Sequence, residues 1–185
     1  MSARLSNIDL DMILKKDHVT KKGYIGAFPA CEIPILVGLH ATLSRASEDV
    51  IKYMRRRVGH RPTIIPISKK KRYFFINNTD QHDEPGAHWI AWMVEGDKVE
   101  FFDSFGRSPN NEHFPYEFTE FILGKKVSYS AFRVQKYTSK TCGYFCMYYI
   151  YFRSLGLDFG YIIKQLKNLK ENDDIVISFF NSLIN

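Results

Sequence analysis

Apolar residues recur along this chain in two rhythms, one helical and one alternating, and the change between them marks out the elements. Ile8, Leu10, Met12 and Ile13 fall near helical spacing between residues 6 and 16, with Ser6 or Asn7 placed to cap. The following GYIGAFPACEIP is dense in glycine and proline and reads as a loop. HATLSRASEDVIKYMRRRVG, residues 40–59, puts Leu43, Ala46, Val50, Tyr53 and Met54 on one face and predicts an amphipathic helix stopped by Gly59. RPTIIPIS is extended, but Pro62 and Pro66 confine it to an edge or a loop, whereas RYFFINN predicts an ordinary strand. Two further strands, 87–94 and 99–105, flank Glu95-Gly96-Asp97-Lys98. Then come a helix at 114–124 ending at Gly124, a strand at 126–135, a long apolar helix at 142–156 stopped by Gly156, and helices at about 158–170 and 173–184. The order predicts an α+β domain with a central mixed β-sheet flanked by helices.

Gly96-Asp97 suits a two-residue type II′ turn, and that turn sets the register. Val94 then lies opposite Val99, Trp92 opposite Phe101, Ile90 opposite Asp103 and His88 opposite Phe105, so His88 and Asp103 become diagonal neighbours. An imidazole and a carboxylate can close that gap with a hydrogen bond, which holds the ring in one tautomer and favours its protonated form. An incidental polar pair at a sheet end would look the same, so the pair needs a third partner to mean chemistry.

Cys142 stands where the polar loop YTSKT runs into an apolar helix, a position at which the helix dipole and free N–H groups favour a thiolate. Next to His88 it becomes a nucleophile for acyl transfer. Gly143 directly after it lets a substrate approach the backbone closely. Gln135, seven residues before Cys142, can donate its amide to an oxyanion alongside the Cys142 backbone N–H. Cys31 and Cys146 fit the commoner role of a cysteine as a small buried apolar residue. His82 and His88 with Cys142 and Cys146 also allow a zinc reading, but it leaves Asp103 and Gln135 without a use, and no metal is expected.

Length and composition narrow the setting. At 185 residues, 45% hydrophobic and 25% charged, the chain is expected to be a single globular domain spanning 1–185. Three cysteines without framework spacing predict a reducing compartment, and no apolar run is long enough to cross a bilayer. Acids in the first residues, where a secretory signal would be apolar, predict an intracellular protein. The net charge of +6 is concentrated in Arg55, Arg56, Arg57, Lys69, Lys70, Lys71 and Arg72, a patch that admits a polyanion such as DNA.

The chain order His88, Asp103, Gln135, Cys142, with HW at the histidine, FDSFG at the acid and CGYFC at the thiol, resembles the adenovirus-type maturation proteases. These are cysteine endopeptidases of the clan that includes the SUMO-specific proteases. In that family the glutamine also lies seven residues before the cysteine, and the opening helix followed by GYIGAFPACEIP is similar to the start of its adenoviral, virophage and Maverick/Polinton members. The resemblance implies an adenain-like, papain-like fold with the nucleophile at a helix N-terminus. It makes His88 the general base and acid, Asp103 its orienting partner, Cys142 the nucleophile and Gln135 part of the oxyanion hole, with Trp89 and Gly143 at the substrate. It further implies substrates among viral capsid and core precursors, cut at glycine-containing small-residue motifs. The expected location is the virion and its assembly site in host cytoplasm or nucleus. No cofactor is needed for the chemistry; DNA or a viral peptide is an expected activator, and a monomer without membrane contact is the expected form. Two departures stand out. The acid is aspartate, as in the SUMO-protease branch, and no cysteine between 32 and 141 is available to a disulfide-linked activator. Two other readings therefore stay open, an isopeptidase acting on a ubiquitin-like modifier and a catalytically silent nucleic-acid-binding domain.

Overall fold

Helix α1 (Asn7–Lys16) begins where the Ser6 side chain accepts the N–H of Asp9 while Asp9 accepts the N–H of Ser6, a capping box that satisfies two donors left over at the helix start. The computed structural model describes residues 5–29, 35–38, 64–67, 71–80, 88–168 and 171–184. The predicted helix at 40–59, together with Arg55, Arg56, Arg57, Lys69, Lys70, Cys31 and His82, lies outside them. The buried face of α1 is Leu10, Ile13 and Leu14; Ile8 and Met12, grouped with it from sequence spacing, are exposed.

The main sheet has five strands in the order β1-β4-β5-β6-β7: β1 (Tyr24–Phe28), β4 (Tyr73–Asn78), β5 (Trp89–Glu95), β6 (Lys98–Phe102) and β7 (Lys126–Tyr129). It is mixed, with β1 parallel to β4, β6 parallel to β7, and antiparallel pairings between. β1 corrects the sequence reading of a loop. Glycine density masked a strand that is completed from outside by α1, where Asp11 accepts the Ala27 N–H at 2.8 Å and the Tyr24 hydroxyl at 3.0 Å. A separate parallel pair joins β2 (Ile35–Gly38) to β3 (Ile64–Ile67), with Pro66 opposite Val37. Among the described residues this sheet has two strands, so the proline stands on an edge strand, where it is tolerated.

Both faces of β5 are covered, so its pattern is nearly continuous burial rather than alternation. On one face Phe75, Ile90, Trp92, Val94, Val99 and Phe101 pack with Phe114 and with Phe118 and Ile122 of helix α2 (Tyr116–Ile122). Trp92 is stacked on Phe75 at 5.9 Å and meets Phe101 and Phe118 edge-on at 4.7 and 5.2 Å, the geometries that aromatic quadrupoles favour. On the other face Trp89, Ala91, Met93 and Phe102 pack with α1, with α3 (Cys142–Ser154) and with α4 (Phe159–Asn168); α5 (Asn172–Ile184) adds Val176. Helix α3 is clamped to β6 by Arg153, which donates from Nε and Nη2 to Glu100 at 2.8 Å each, and by the Tyr149 hydroxyl at 2.7 Å. No helix among the described residues is long and apolar enough to cross a membrane.

The β5–β6 register is the predicted one, with Val94 opposite Val99 and Trp92 opposite Phe101, and Gly96 at φ 62° occupies the first central turn position. The strand predicted over 126–135 ends at Tyr129 instead. From Ser130 onward the chain wraps the turn after β6, with the N–H groups of Val134 and Gln135 donating to the Ser104 carbonyl at 2.8 and 3.1 Å. Gly106 in that turn has φ +74°, and a Cβ there would meet the Phe132 carbonyl carbon at 2.5 Å. Backbone cannot yield as a side-chain tip can, so Gly106→Ala should cost about 2 kcal/mol or more, combining left-handed strain with the clash. Urea unfolding measures this, and a variant within about 0.5 kcal/mol of wild type would contradict the close approach.

Candidate active site

The hairpin ladder stops at Ala91 opposite Phe102, and the residues just beyond it, His88 and Asp103, face each other with Nε2 and Oδ1 2.6 Å apart. The histidine backbone is fixed by Thr79, whose N–H donates to its carbonyl at 2.9 Å. Asp103 is 0% exposed, and its oxygens are fully engaged. Oδ1 also accepts the Phe105 N–H at 3.0 Å, and Oδ2 accepts the Arg107 N–H at 3.1 Å and its Nε at 2.7 Å. The Ser130 hydroxyl accepts the Asp103 N–H at 2.9 Å and donates to its carbonyl at 2.8 Å. Burial alone would raise the Asp103 pKa, but the bonds and charges of His88 and Arg107 outweigh it and hold the carboxyl below its ordinary value. Phe105 lies nearly parallel to the imidazole, centroids 4.8 Å apart.

Cys142 is the first residue of α3 and is buried, 3% exposed. His88 is the ionisable group that acts on it; with Nε2 taken by Asp103, Nδ1 is the nitrogen left for the sulfur. Burial pushes the thiol pKa up, yet His88 and the backbone groups of Trp89 and Gly143 pull it down further, so it lies below the ordinary thiol value. His88 shows the mirror image: burial lowers its pKa, but the bonds to Asp103 and Cys142 raise it above the ordinary imidazole value. The two shifts together favour a thiolate–imidazolium pair. Cys146, one turn on, is fully buried, its thiol donating to the Trp89 carbonyl at 3.4 Å, and burial drives its pKa well above normal. Among the described residues no three His, Cys, Asp or Glu side chains converge as metal ligands.

Gln135 sits in the irregular segment before α3 rather than on a strand, and it is buried. Its Oε1 accepts the Ser104 hydroxyl at 2.6 Å, and its Nε2 donates to the Ser139 carbonyl at 3.1 Å. Helix α5 braces this segment: the Thr141 hydroxyl and the Lys136 N–H, the latter at 3.1 Å, bond to Asp173, and Asn172 donates to the Val134 carbonyl at 2.9 Å. The sequence reading misses Ser104, Arg107, Ser130, Asn172 and Asp173. An Asn-Asp pair opening a helix was the available signal, but its target is distant in sequence.

Trp89 and Gly143, expected at the substrate, pack against the N-terminal segment. Trp89 is buried with its indole N–H donating to the Leu5 carbonyl at 2.9 Å, and a Cβ on Gly143 would meet Leu5 and Trp89 side-chain atoms at 3.3 Å. The glycine makes room for the N-terminal segment under the helix start. Of the basic stretch, Lys71 and Arg72 are described and exposed, with Arg72 Nε 3.4 Å from Glu95.

No protein-family model matches the chain, and no curated protein matches it. Among solved structures it is similar to the crystal structure of the Se-Met ASFV pS273R protease, with a TM-score of 0.48 and 20% identity, over 87% of this chain and 62% of that one. The chain thus spans less than two thirds of that protein's length.

The two described thiols should separate cleanly. Iodoacetamide should label Cys142 well below the roughly 8.5 of a free thiol and leave Cys146 unlabelled in the native protein, as mass spectrometry will locate. Equal labelling of both, or a Cys142 profile centred at the free-thiol value, would contradict the ion pair.

Proposed function

We propose that this protein is a cysteine endopeptidase. The observation that carries the reading is a single buried histidine bonded to a carboxylate at 2.6 Å and lowering the pKa of a cysteine thiol at a helix start. A nucleic-acid-binding domain has no use for such an arrangement.

In the proposed reaction the Cys142 thiolate attacks the scissile carbonyl carbon, and the carbonyl electron pair moves onto oxygen. The Cys142 backbone N–H and the second N–H of the Gln135 amide, the first being given to Ser139, hold that oxyanion. His88 gives its proton to the leaving amine as the C–N bond breaks, leaving a thioester on Cys142. His88 then takes a proton from water, which attacks the thioester; a second oxyanion collapses and the thiolate departs. Asp103 keeps the imidazole oriented and offsets its charge throughout.

The resemblance to adenovirus-type maturation proteases supports capsid and core precursors of a DNA virus or virus-like element as substrates, with cleavage at glycine-containing motifs in the assembling virion. Lys71 and Arg72 belong to the basic stretch through Arg55, Arg56, Arg57, Lys69 and Lys70, and DNA bound there is the proposed activator; a viral peptide, if used, binds without a disulfide. One observation favours a second reading: the acid is aspartate, the choice of the SUMO-protease branch, so a ubiquitin-like modifier ending in Gly-Gly is the alternative substrate.

Cys142→Ala should abolish hydrolysis of glycine-containing precursor peptides with the fold intact. Gln135→Ala should lower kcat by about 10² to 10³ with KM little changed, and Asp103→Asn should cost less than loss of the cysteine. Wild-type turnover in Cys142→Ala would refute the mechanism, and cleavage of a modifier tail in place of precursor peptides would select the second reading.

A further inference from the structure

Arg107 is absent from the roles above, yet it is the residue on which the acid of the site leans. Its backbone N–H and Nε both donate to Oδ2 of Asp103, at 3.1 and 2.7 Å, which leaves Oδ1 to His88. Its guanidinium lies over the Phe114 ring at 4.5 Å and the Phe105 ring at 5.4 Å, while Phe105 in turn stacks on His88 at 4.8 Å. Nη2 is buried without a hydrogen-bond partner, so that end of the group is given to ring faces rather than to polar contacts. Two routes thus run from one side chain to the imidazole, one through the carboxylate and one through the aromatic ring.

We propose that Arg107 is a positioning residue for the proposed protease site, fixing which Asp103 oxygen faces His88 and pressing Phe105 flat against the imidazole. The inference rests on the protease reading. Its consequence is an alternating row of charges, Arg107 positive, Asp103 negative, His88 positive and Cys142 negative, in which the first fixes the alignment of the pairs that follow. An ammonium supplies the charge but not the planar fork or the stacking surface, so lysine is an incomplete substitute. The ionisable groups acting on Asp103 are His88 ahead of β5 and Arg107 in the turn after β6, and Asp103 in turn acts on Cys146 of α3.

The sign follows from those neighbours. Without Arg107 the Asp103 carboxylate is no longer held with Oδ1 toward Nε2, the imidazolium loses its aligned partner, and the Cys142 thiol rises with that loss. The acid limb of reactivity moves to higher pH. The test is the pH profile of Cys142 alkylation by iodoacetamide, measured with peptide turnover for wild type, Arg107→Gln and Arg107→Lys. Arg107→Gln should move the alkylation midpoint up by about half a pH unit, roughly a three-fold loss of thiolate on the acid limb. It should also lower kcat roughly 10- to 100-fold with KM unchanged. Arg107→Lys should recover the midpoint and only part of kcat.

A wild-type midpoint and kcat in Arg107→Gln would overturn the proposal. A lowered melting temperature with an unmoved midpoint would overturn it too, because a merely structural arginine behaves that way. An ordinary thiol midpoint in wild type itself would instead sink the protease reading, and this proposal with it.

Discussion

A carboxylate with no solvent exposure is stable only if donors replace the water it has lost, and Asp103 has four: His88, the Phe105 and Arg107 N–H groups, and Arg107 Nε. Each of those donors fixes a piece of the site. The two N–H groups curl the chain into the turn that follows β6, Ser130 ties the Asp103 backbone to the segment leaving β7, and Gly106 lets that segment pass against the turn. The same segment carries Gln135 and ends at Cys142. Satisfying one buried charge therefore arranges Asp103, His88, the Gln135 amide and the approach to the Cys142 thiol.

The Cys142 thiol is held from two more directions. Glu100, Tyr149 and Arg153 lock α3 to β6, so the helix start cannot slide relative to the hairpin that presents His88. Asn172 and Asp173 bind the loop on its outer side. Burial by itself would neutralise both Cys142 and His88; each is kept near its charged form by the other and by fixed dipoles, so the arrangement works only if the geometry is held closely. Rigid bracing and charge stabilisation are in this sense one requirement.

Much of this was legible in the sequence, for reasons that are local. Gly96-Asp97 determines the turn type, the turn determines the register, and the register brings His88 and Asp103 together. A polar loop running into an apolar run announces a helix start at Cys142. The misreadings arose where distant groups decide. GYIGAF becomes a strand because Asp11 of α1 covers its edge, and KVSYSAFRVQ leaves the sheet after Tyr129 because Ser104 and Asp103 offer better hydrogen-bond partners than a longer ladder. The packing of Trp89 and Gly143 against Leu5 is likewise decided by a distant segment. Arg107 lies four residues from Asp103, but nothing in a linear reading says which way its side chain folds.

The most direct test is the protonation of His88 followed by NMR against pH in the native protein and in Cys142→Ser. The account predicts an imidazolium that persists above the ordinary histidine value of about 6.5 in wild type and titrates at lower pH once the thiolate is removed. An identical midpoint in the two proteins would show that His88 and Cys142 do not share a charge, and the proposed mechanism would lose its foundation.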